Sequence, residues 1–321
     1  FSSFKNIDKK LPVFNVLHTN IKPIVIKNLT WLVIYSFFLC FLLILNNPIN
    51  LTNNSITIFN ECLIQDDFSN IFKSIILLSA IITLFISFDY NKIEKINTFE
   101  YSILIGLATS GMLFLVSAYD LISFYLALEM QSLCLYILAS LKRYSAYSTE
   151  AGLKYFILGA FSSCLLLFGC SIIYGLTGTI SFEELAIIIS SGNDSALFSI
   201  MLMIGIIFIM IALLFKIAAV PFHQWSPDII EGSPTNISTF FAITPKIAIF
   251  GLFIRLFFFS FFDLISYWQQ ILIFCSFSSM IIASLSAFNQ RKLKRFLAFS
   301  TVGHVGYILI GFSAGTFEGL E

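Results

Sequence analysis

The sequence predicts an all-α, polytopic bundle of about nine transmembrane helices. Of its 321 residues, 58% are hydrophobic and only 11% are charged, whereas an ordinary soluble domain is about 25% charged. The apolar residues form runs of about 20, which is the length of a helix that crosses a bilayer. A helix satisfies its backbone hydrogen bonds internally, as a segment in lipid must. Basic residues fall in alternate loops between these runs.

The apolar runs divide the chain into four parts. Residues 1–29 precede the first run, residues 30–98 hold two runs, residues 99–260 hold five, and residues 261–321 hold two. The run from Ile180 to Ser191 is short and acidic at its start, so we expect an interfacial helix or a loop there. The nine predicted spans are 30–46, 71–88, 99–117, 120–140, 152–175, 197–222, 236–260, 265–288 and 295–314.

The loop charges orient the bundle. Loops on the side of the N-terminal segment hold 13 lysines and arginines, and the opposite loops hold none and carry acidic residues such as Glu61 and Asp67. Loops on the cytoplasmic side of membrane proteins carry such an excess of basic residues. We therefore expect the N-terminus on the cytoplasmic or matrix side. The 13 residues are Lys5, Lys9, Lys10, Lys22, Lys27, Lys92, Lys95, Lys142, Arg143, Arg291, Lys292, Lys294 and Arg295.

Five further basic residues fall inside the predicted spans. Two of them, Lys73 and Arg255, lie within about two turns of the outer ends of their helices. Long basic side chains near a helix end can reach water along apolar surface. We expect these two residues to do so, which leaves three lysines to explain.

The three remaining lysines accompany one embedded acid. Glu129 and Lys246 lie near the middle of their spans, where a charge costs about 2.5–3.5 kcal/mol on insertion scales. Lys154 and Lys216 lie closer to the end with the basic loops. Taken by itself, Lys154 could reach water there by extending its side chain. One Glu129–lysine ion pair could simply lock two helices together, but one acid cannot neutralise three lysines. Embedded Glu and Lys groups are also the construction expected of a proton path.

A proline and two histidines add to this polar set. Pro221 frees the carbonyl near Ile217, which predicts a broken helix after Lys216, and broken helices inside membranes are tolerated where they line a polar cavity. His304 lies near mid-span, where it is either a hydrogen-bonded core residue or part of a proton relay. His223 lies just past the proline, near the inner surface.

Other chemistries lack a signature in the sequence. The six cysteines form no C-x-x-C pair, so we expect small buried hydrophobes rather than metal or iron–sulfur ligands. G-x-G-x-x-G, P-loop and H-E-x-x-H motifs are absent, and we expect no cofactor or metal site in this chain. Basic and acidic residues both number 18, and without a basic cluster we exclude nucleic-acid binding. The heavy use of Phe, Ile and Asn hints at an AT-rich organellar genome.

Four stretches, collinear between about residues 99 and 315, resemble the NADH dehydrogenase subunit 2 family, whose members are antiporter-like membrane subunits of respiratory complex I. The block from Lys216 to Pro234 is specific for the wider antiporter-like group, and ALEMQSL before it favours subunit 2. The stretches are LALEMQSLCLYILAS (126–140), EAGLKYFILGAFSSCLLLFGCSIIYGLTGT (150–179), LLFKIAAVPFHQWSPDIIEGSPTNISTFFAITPKIAIFGLFIRLF (213–257) and FNQRKLKRFLAFSTVGHVGYILIGFSAG (288–315).

The resemblance implies a role for each embedded polar residue. In the family, these groups form a hydrated axis that moves protons from the mitochondrial matrix across the inner membrane, driven by electron transfer in other subunits. The partners implied are the other membrane-arm subunits of complex I, and membrane lipids. The residues that match the family's axis are Glu129, Lys154, Lys216, Lys246 and His304.

The chain departs from the family pattern at both ends. Fourteen spans are typical of the family; three of them precede the one that matches residues 99–117, whereas here two do. The sequence also ends before the second broken helix and its lysine. We therefore expect an antiporter-like fold with an incomplete second half, and a separate chain that supplies the missing spans. An incomplete sequence, a non-conducting scaffold and a stand-alone cation/proton antiporter remain alternatives.

Overall fold

The computed structural model describes residues 23–46, 56–94, 99–191, 196–316 and 319. Within these residues, nine helices are long and apolar enough to cross a membrane, and each lies on one of the predicted runs. The predicted fold class and number of spans are therefore confirmed. The spans are Lys27–Asn46, Asp67–Asn91, Glu100–Ser117, Leu121–Ala139, Ala146–Thr177, Phe198–Ile217, Thr235–Ser260, Phe262–Phe288 and Leu293–Ser313.

Eleven α-helices and one β-hairpin make up the regular structure of the described residues. Helix α9 continues directly into a π-helix, Arg255–Ser260, and a 3-10 turn, Phe262–Leu264, precedes α10. The elements are α1 Pro23–Asn46, β1 Ile56–Ile58, β2 Leu63–Gln65, α2 Asp67–Ile93, α3 Glu100–Ser117, α4 Leu121–Ala139, α5 Ala146–Thr177, α6 Phe182–Ser190, α7 Ala196–Ile217, α8 Trp225–Gly232, α9 Thr235–Ile254, α10 Ile265–Phe288 and α11 Leu293–Ser313.

Local sequence signals set several helix ends. Asp66 caps α2 in a capping box with Ser69, because each side chain bonds the backbone N–H of the other residue. Asp120 caps α4 by accepting from the N–H of Ser123 at 2.8 Å. Gly178 ends α5 in the left-handed conformation that glycine adopts readily.

One end of the bundle lies opposite the basic loops, and we call it the acidic end. Three loops meet there. The hairpin β1–β2, which the sequence did not predict, pairs antiparallel there. In the turn of this hairpin, the Cys62 carbonyl accepts a hydrogen bond from the N–H of Tyr119, with 3.0 Å between oxygen and nitrogen. Tyr119 in turn accepts from the N–H of Phe182, at the start of the predicted interfacial segment, which is helix α6. Backbone hydrogen bonds thus tie together loops that lie far apart in the sequence.

The opposite end, called the basic end, gathers the described basic loops. Lys142 pairs with Glu94 at 2.6 Å, and Lys292 pairs with Glu231. Exposed pairs of this kind stabilise a protein by about 1 kcal/mol at most. They do show that the loops that carry these residues lie side by side. The predicted residues Lys5, Lys9, Lys10, Lys22 and Lys95 lie outside the described residues.

Close helix packing forms the core between these ends. Helices α5 and α7 cross where Gly169 faces Gly205, so closely that a Cβ on Gly169 would lie 2.8 Å from the Gly205 carbonyl oxygen. Small residues permit such approach between membrane helices. Helices α10 and α11 form a second tight pair, with Gly306 against Ser279.

The structure corrects two expectations about side-chain burial. Cys134, Cys170 and Cys275 are buried as expected, but Cys40 and Cys164 are exposed on the surface of the bundle. Arg255 does not reach out to water, because its side chain is only 6% exposed and pairs with Asp66. Lys73 is half-buried in α2, and its snorkelling remains a prediction.

Candidate functional site

Lys216 is the best-defined member of the predicted polar set. It lies in the last turn of α7, and only 9% of its surface is exposed. Its Nζ donates a hydrogen bond to the Tyr136 hydroxyl, 3.1 Å away, and lies 5.6 Å from the centre of the same ring. No carboxylate lies within ion-pair distance of this amine in the described part of the chain. A neutral hydroxyl therefore holds a buried amine.

The backbone next to Lys216 is broken, as predicted. Helix α7 ends at Ile217, four residues before Pro221. Ala218 adopts a φ of 65° and donates to the Phe215 carbonyl, and Ala219 donates to the Leu214 carbonyl. This is the hydrogen-bond pattern of a Schellman ending, with alanine in the place that glycine usually takes. A left-handed alanine costs about 1–2 kcal/mol, so the surrounding packing must hold the break.

Trp225 supplies much of that packing. Its indole Nε1 donates to the Phe215 carbonyl at 2.9 Å, which caps the broken end of α7. Its ring stacks on Tyr155, with ring centres 5.0 Å apart, and on Phe215, at 5.6 Å. Because Trp225 begins α8, this stack fixes the second half of the broken helix to α5 and α7.

Glu129 lies on α4, two helical turns before Tyr136, so both side chains project from a similar face of the helix. The residue is half-buried. No salt bridge within 4.0 Å joins Glu129 to a lysine among the described residues. The helix-locking ion pair is therefore absent there, and Tyr136 occupies the position next to Lys216.

Lys246 lies in the interior of α9, one residue after Pro245. Its Nζ is buried and has no hydrogen-bond partner in the described structure. An amine without a partner in an apolar environment is costly, and internal polar residues of membrane helices usually line functional pathways. This geometry fits the predicted role of Lys246.

Lys154 lies away from the interior of the bundle, because it is exposed near the basic end of α5. Its Nζ pairs with Glu150 at 2.8 Å and with Asp228 at 3.3 Å. Asp228, on α8, also pairs with Arg295 at the start of α11. The sequence reasoning missed these acidic partners. Two carboxylates thus balance Lys154 without any help from Glu129.

The two histidines have different surroundings. His304 is exposed on α11, so it faces outward from the described bundle although its depth matches the prediction. His223 lies beside the helix break, with its Nδ1 buried and its ring 6.4 Å from that of Phe299. The described structure therefore does not bring His304 together with Lys216.

A second charged site, not predicted, lies at the acidic end. Arg255 Nη2 is 2.9 Å from both carboxylate oxygens of Asp66. They line a cavity of about 520 Å³ together with Tyr119 and Glu183. Burial raises the pKa of Asp66, but Arg255 and hydrogen bonds from Ser69 outweigh it and hold that pKa below its usual value. Burial and the nearby Glu183 carboxylate raise the pKa of Tyr119 to about 12.

Within the described ranges, no group of three or more His, Cys, Asp or Glu side chains could hold a metal ion. The embedded amines and carboxylate can donate and accept protons, and this is the chemistry that the interior offers.

Sequence comparison places the chain among membrane subunits of oxidoreductases and antiporters. Residues 118–321 match the family described as NADH:quinone oxidoreductase/Mrp antiporter, TM. NADH-ubiquinone oxidoreductase chain 2 of Marchantia polymorpha is 50% identical over 303 residues, which are 93% of this chain and 60% of that protein. NADH-quinone oxidoreductase subunit N of Pelagibacter ubique is 44% identical over 290 residues, 90% of this chain and 60% of that protein. The chain thus spans about 60% of the length of these curated relatives.

Solved structures share the architecture. A chain of respiratory complex I from Thermus thermophilus matches with a TM-score of 0.76 and 26% identity, over 92% of this chain and 61% of that one. A chain of the archaeal membrane-bound sulfane sulfur reductase matches with a TM-score of 0.77 and 22% identity, over 97% of this chain and 64% of that one. The second match is evidence for the fold alone.

Proposed function

The chain belongs to the NADH:quinone oxidoreductase/Mrp antiporter family of membrane subunits, and we propose that it translocates protons in the membrane arm of mitochondrial NADH:ubiquinone oxidoreductase, respiratory complex I. Electron transfer in other subunits would supply the energy, and this chain would carry no redox cofactor. The plant relatives named NADH-ubiquinone oxidoreductase chain 2 support this assignment.

The state of Lys216 carries the proposal. Its amine is buried beside a helix break and bonds to a neutral hydroxyl. A carboxylate partner would stabilise the charged ammonium, whereas a hydroxyl leaves the amine free to gain and lose a proton. Glu129 and Lys246 supply further proton-carrying groups in the spans, Lys154 stands near the entrance at the basic end, and His304 faces outward, toward whatever packs on α11.

The surroundings of the subunit follow from the same proposal. It is a multi-pass protein of the inner mitochondrial membrane with its basic end and N-terminus on the matrix side. Its partners are other membrane-arm subunits and membrane lipids.

A non-conducting scaffold in the same membrane arm is the second candidate. The observation in its favour is that two of the five predicted relay residues, Lys154 and His304, are exposed rather than inside the bundle. The buried amines of Lys216 and Lys246, which form no ion pair among the described residues, speak against it, because a scaffold gains nothing from their insertion cost.

Proton translocation by the assembled complex separates the two candidates. We expect Lys216→Ala and Glu129→Ala to lower the protons moved per NADH oxidised in reconstituted vesicles, with the complex assembled. Lys27→Ala and Glu184→Ala remove exposed charges and serve as matched controls. Unchanged proton translocation in both test variants would refute a conducting role, and a loss confined to assembly would favour the scaffold.

A further inference from the structure

We propose that Tyr136 is a positioning residue for Lys216, whose amine it holds in place in both protonation states. This inference rests on the proposed proton-translocating function. Tyr136 is buried, with 6% of its surface exposed, and its hydroxyl is the hydrogen-bond partner of Lys216 in the described structure.

The chemistry of the pair explains why tyrosine suits this position. A phenolic hydroxyl both accepts and donates hydrogen bonds, whereas a carboxylate only accepts them. When Lys216 is an ammonium, its N–H donates to the Tyr136 oxygen. After the ammonium passes a proton to the next group in the path, the hydroxyl rotates and donates its O–H to the amine's lone pair. Tyr136 keeps its own proton throughout, so the hydrogen bond reverses direction without any covalent bond breaking at the tyrosine.

The protein holds the Tyr136 ring firmly in this place. Tyr155 and Phe156 meet the ring edge-on, at centroid distances of 4.7 and 5.8 Å and interplanar angles of 84°. Such aromatic pairs contribute about 0.5–1.5 kcal/mol beyond their burial. The ring is thereby fixed in the position from which its hydroxyl reaches Lys216.

Gly159 on α5 provides independent support. A Cβ at this position would lie 2.1 Å from the Tyr136 hydroxyl oxygen and 2.6 Å from the ring carbon that bears it. Any larger residue must therefore push the hydroxyl away from its present place. The space that Gly159 leaves is occupied by the atom that bonds to Lys216.

The test uses the whole complex reconstituted in vesicles, with Tyr136→Phe as the main variant. Tyr136→Phe keeps the ring and removes the hydroxyl, and a hydrogen bond to a charged group corresponds to a change of about tenfold or more. We expect proton translocation to slow by about tenfold, its pH midpoint to move, and assembly to stay normal. Gly159→Ala should slow translocation in the same direction, because it displaces the same oxygen.

Tyr101→Phe is the matched control, because it removes a buried tyrosine hydroxyl whose polar neighbours are Ser87 and Asn236 rather than Lys216. It should leave both the rate and the pH midpoint unchanged. In a Lys216→Ala background, Tyr136→Phe should have no further effect, because its action passes through the amine. A further loss in that background would mean a structural role for Tyr136 and would overturn the inference.

The two proposals fail in different ways. If Lys216→Ala lowers proton translocation but Tyr136→Phe changes neither rate nor pH midpoint, the positioning role is wrong and the proposed function stands. If Lys216→Ala translocates protons normally, the proposed function itself fails.

Discussion

The ion pair between Asp66 and Arg255 should contribute measurably to stability at the acidic end. Asp66 has two structural roles, since its carboxylate binds the Arg255 guanidinium and also caps α2. Asp66→Asn separates these roles, because asparagine is as good a helix cap as aspartate but carries no charge. Asp66→Ala removes both roles.

The burial of the two side chains sets how much stability each substitution removes. Breaking a fully buried ion pair costs about 3–5 kcal/mol, because the remaining charge is left uncompensated. Arg255 is 6% exposed but Asp66 is 30% exposed, so solvent screens part of the interaction. We expect Asp66→Asn to destabilise this end by about 2–3 kcal/mol. Asp66→Ala should add about 1 kcal/mol for the lost cap.

Hydrogen exchange measured by mass spectrometry reports the change locally. A loss of 2–3 kcal/mol accelerates exchange through local opening by roughly 30- to 150-fold. We expect this acceleration at the amides of the first turn of α2 and of the π-helix 255–260, with α10 as the internal reference. Equal exchange at these amides in the wild type and in Asp66→Asn would show that the pair contributes nothing.

The same pair makes a prediction about pH. The pKa of Asp66 is lowered in the folded protein, and an unfolded aspartate titrates near 3.9. The stabilisation is therefore fully present above about pH 4 and is lost as the pH falls through the lower, folded pKa. Asp66→Asn and the wild type should thus differ at neutral pH and converge under acid. A difference that persisted well below the folded pKa would contradict this account.

Two further variants test the packing around the helix break and the α5–α7 crossing. Gly169→Ala places a Cβ 2.8 Å from a backbone oxygen of α7, and we expect a loss of about 1–3 kcal/mol in thermal stability; Gly175→Ala on the same helix meets no atom within 4 Å and should be neutral. Trp225→Phe keeps an aromatic ring in the stack but loses the hydrogen bond to the Phe215 carbonyl. Exchange at the end of α7 should then rise by roughly fivefold, as expected for about 1 kcal/mol; unchanged exchange would mean that the cap is dispensable.

Features that depend on position along the chain could be predicted from the sequence. A run of about 20 apolar residues predicts a span wherever it occurs, and all nine predicted runs form one. The break after Lys216 followed from Pro221, because a proline removes a backbone N–H at a fixed distance along the helix. The helix accordingly ends at Ile217.

Features that depend on distant partners could not be predicted. Asp66 and Arg255 are 189 residues apart, and nothing in either neighbourhood indicates the pairing. Snorkelling was the simplest interpretation of an arginine near a helix end, and it was wrong for Arg255. Tyr136 resembled any core aromatic residue, although its spacing of two turns from Glu129 was a usable signal, because residues at that spacing share a helix face.

The remaining differences between the predicted and the observed sites concern the direction in which a side chain points from its membrane helix. A helix in a soluble protein reveals its inward face through its polar side, but a membrane helix is apolar all round because lipid covers its outer face. The sequence therefore gives the depth of a polar residue without its direction around the helix. Lys154 and His304 match the predicted depths and yet are exposed. Lys216 points inward because Tyr136 and Gly159, on two other helices, leave a place for its amine, and only the folded structure brings those helices together.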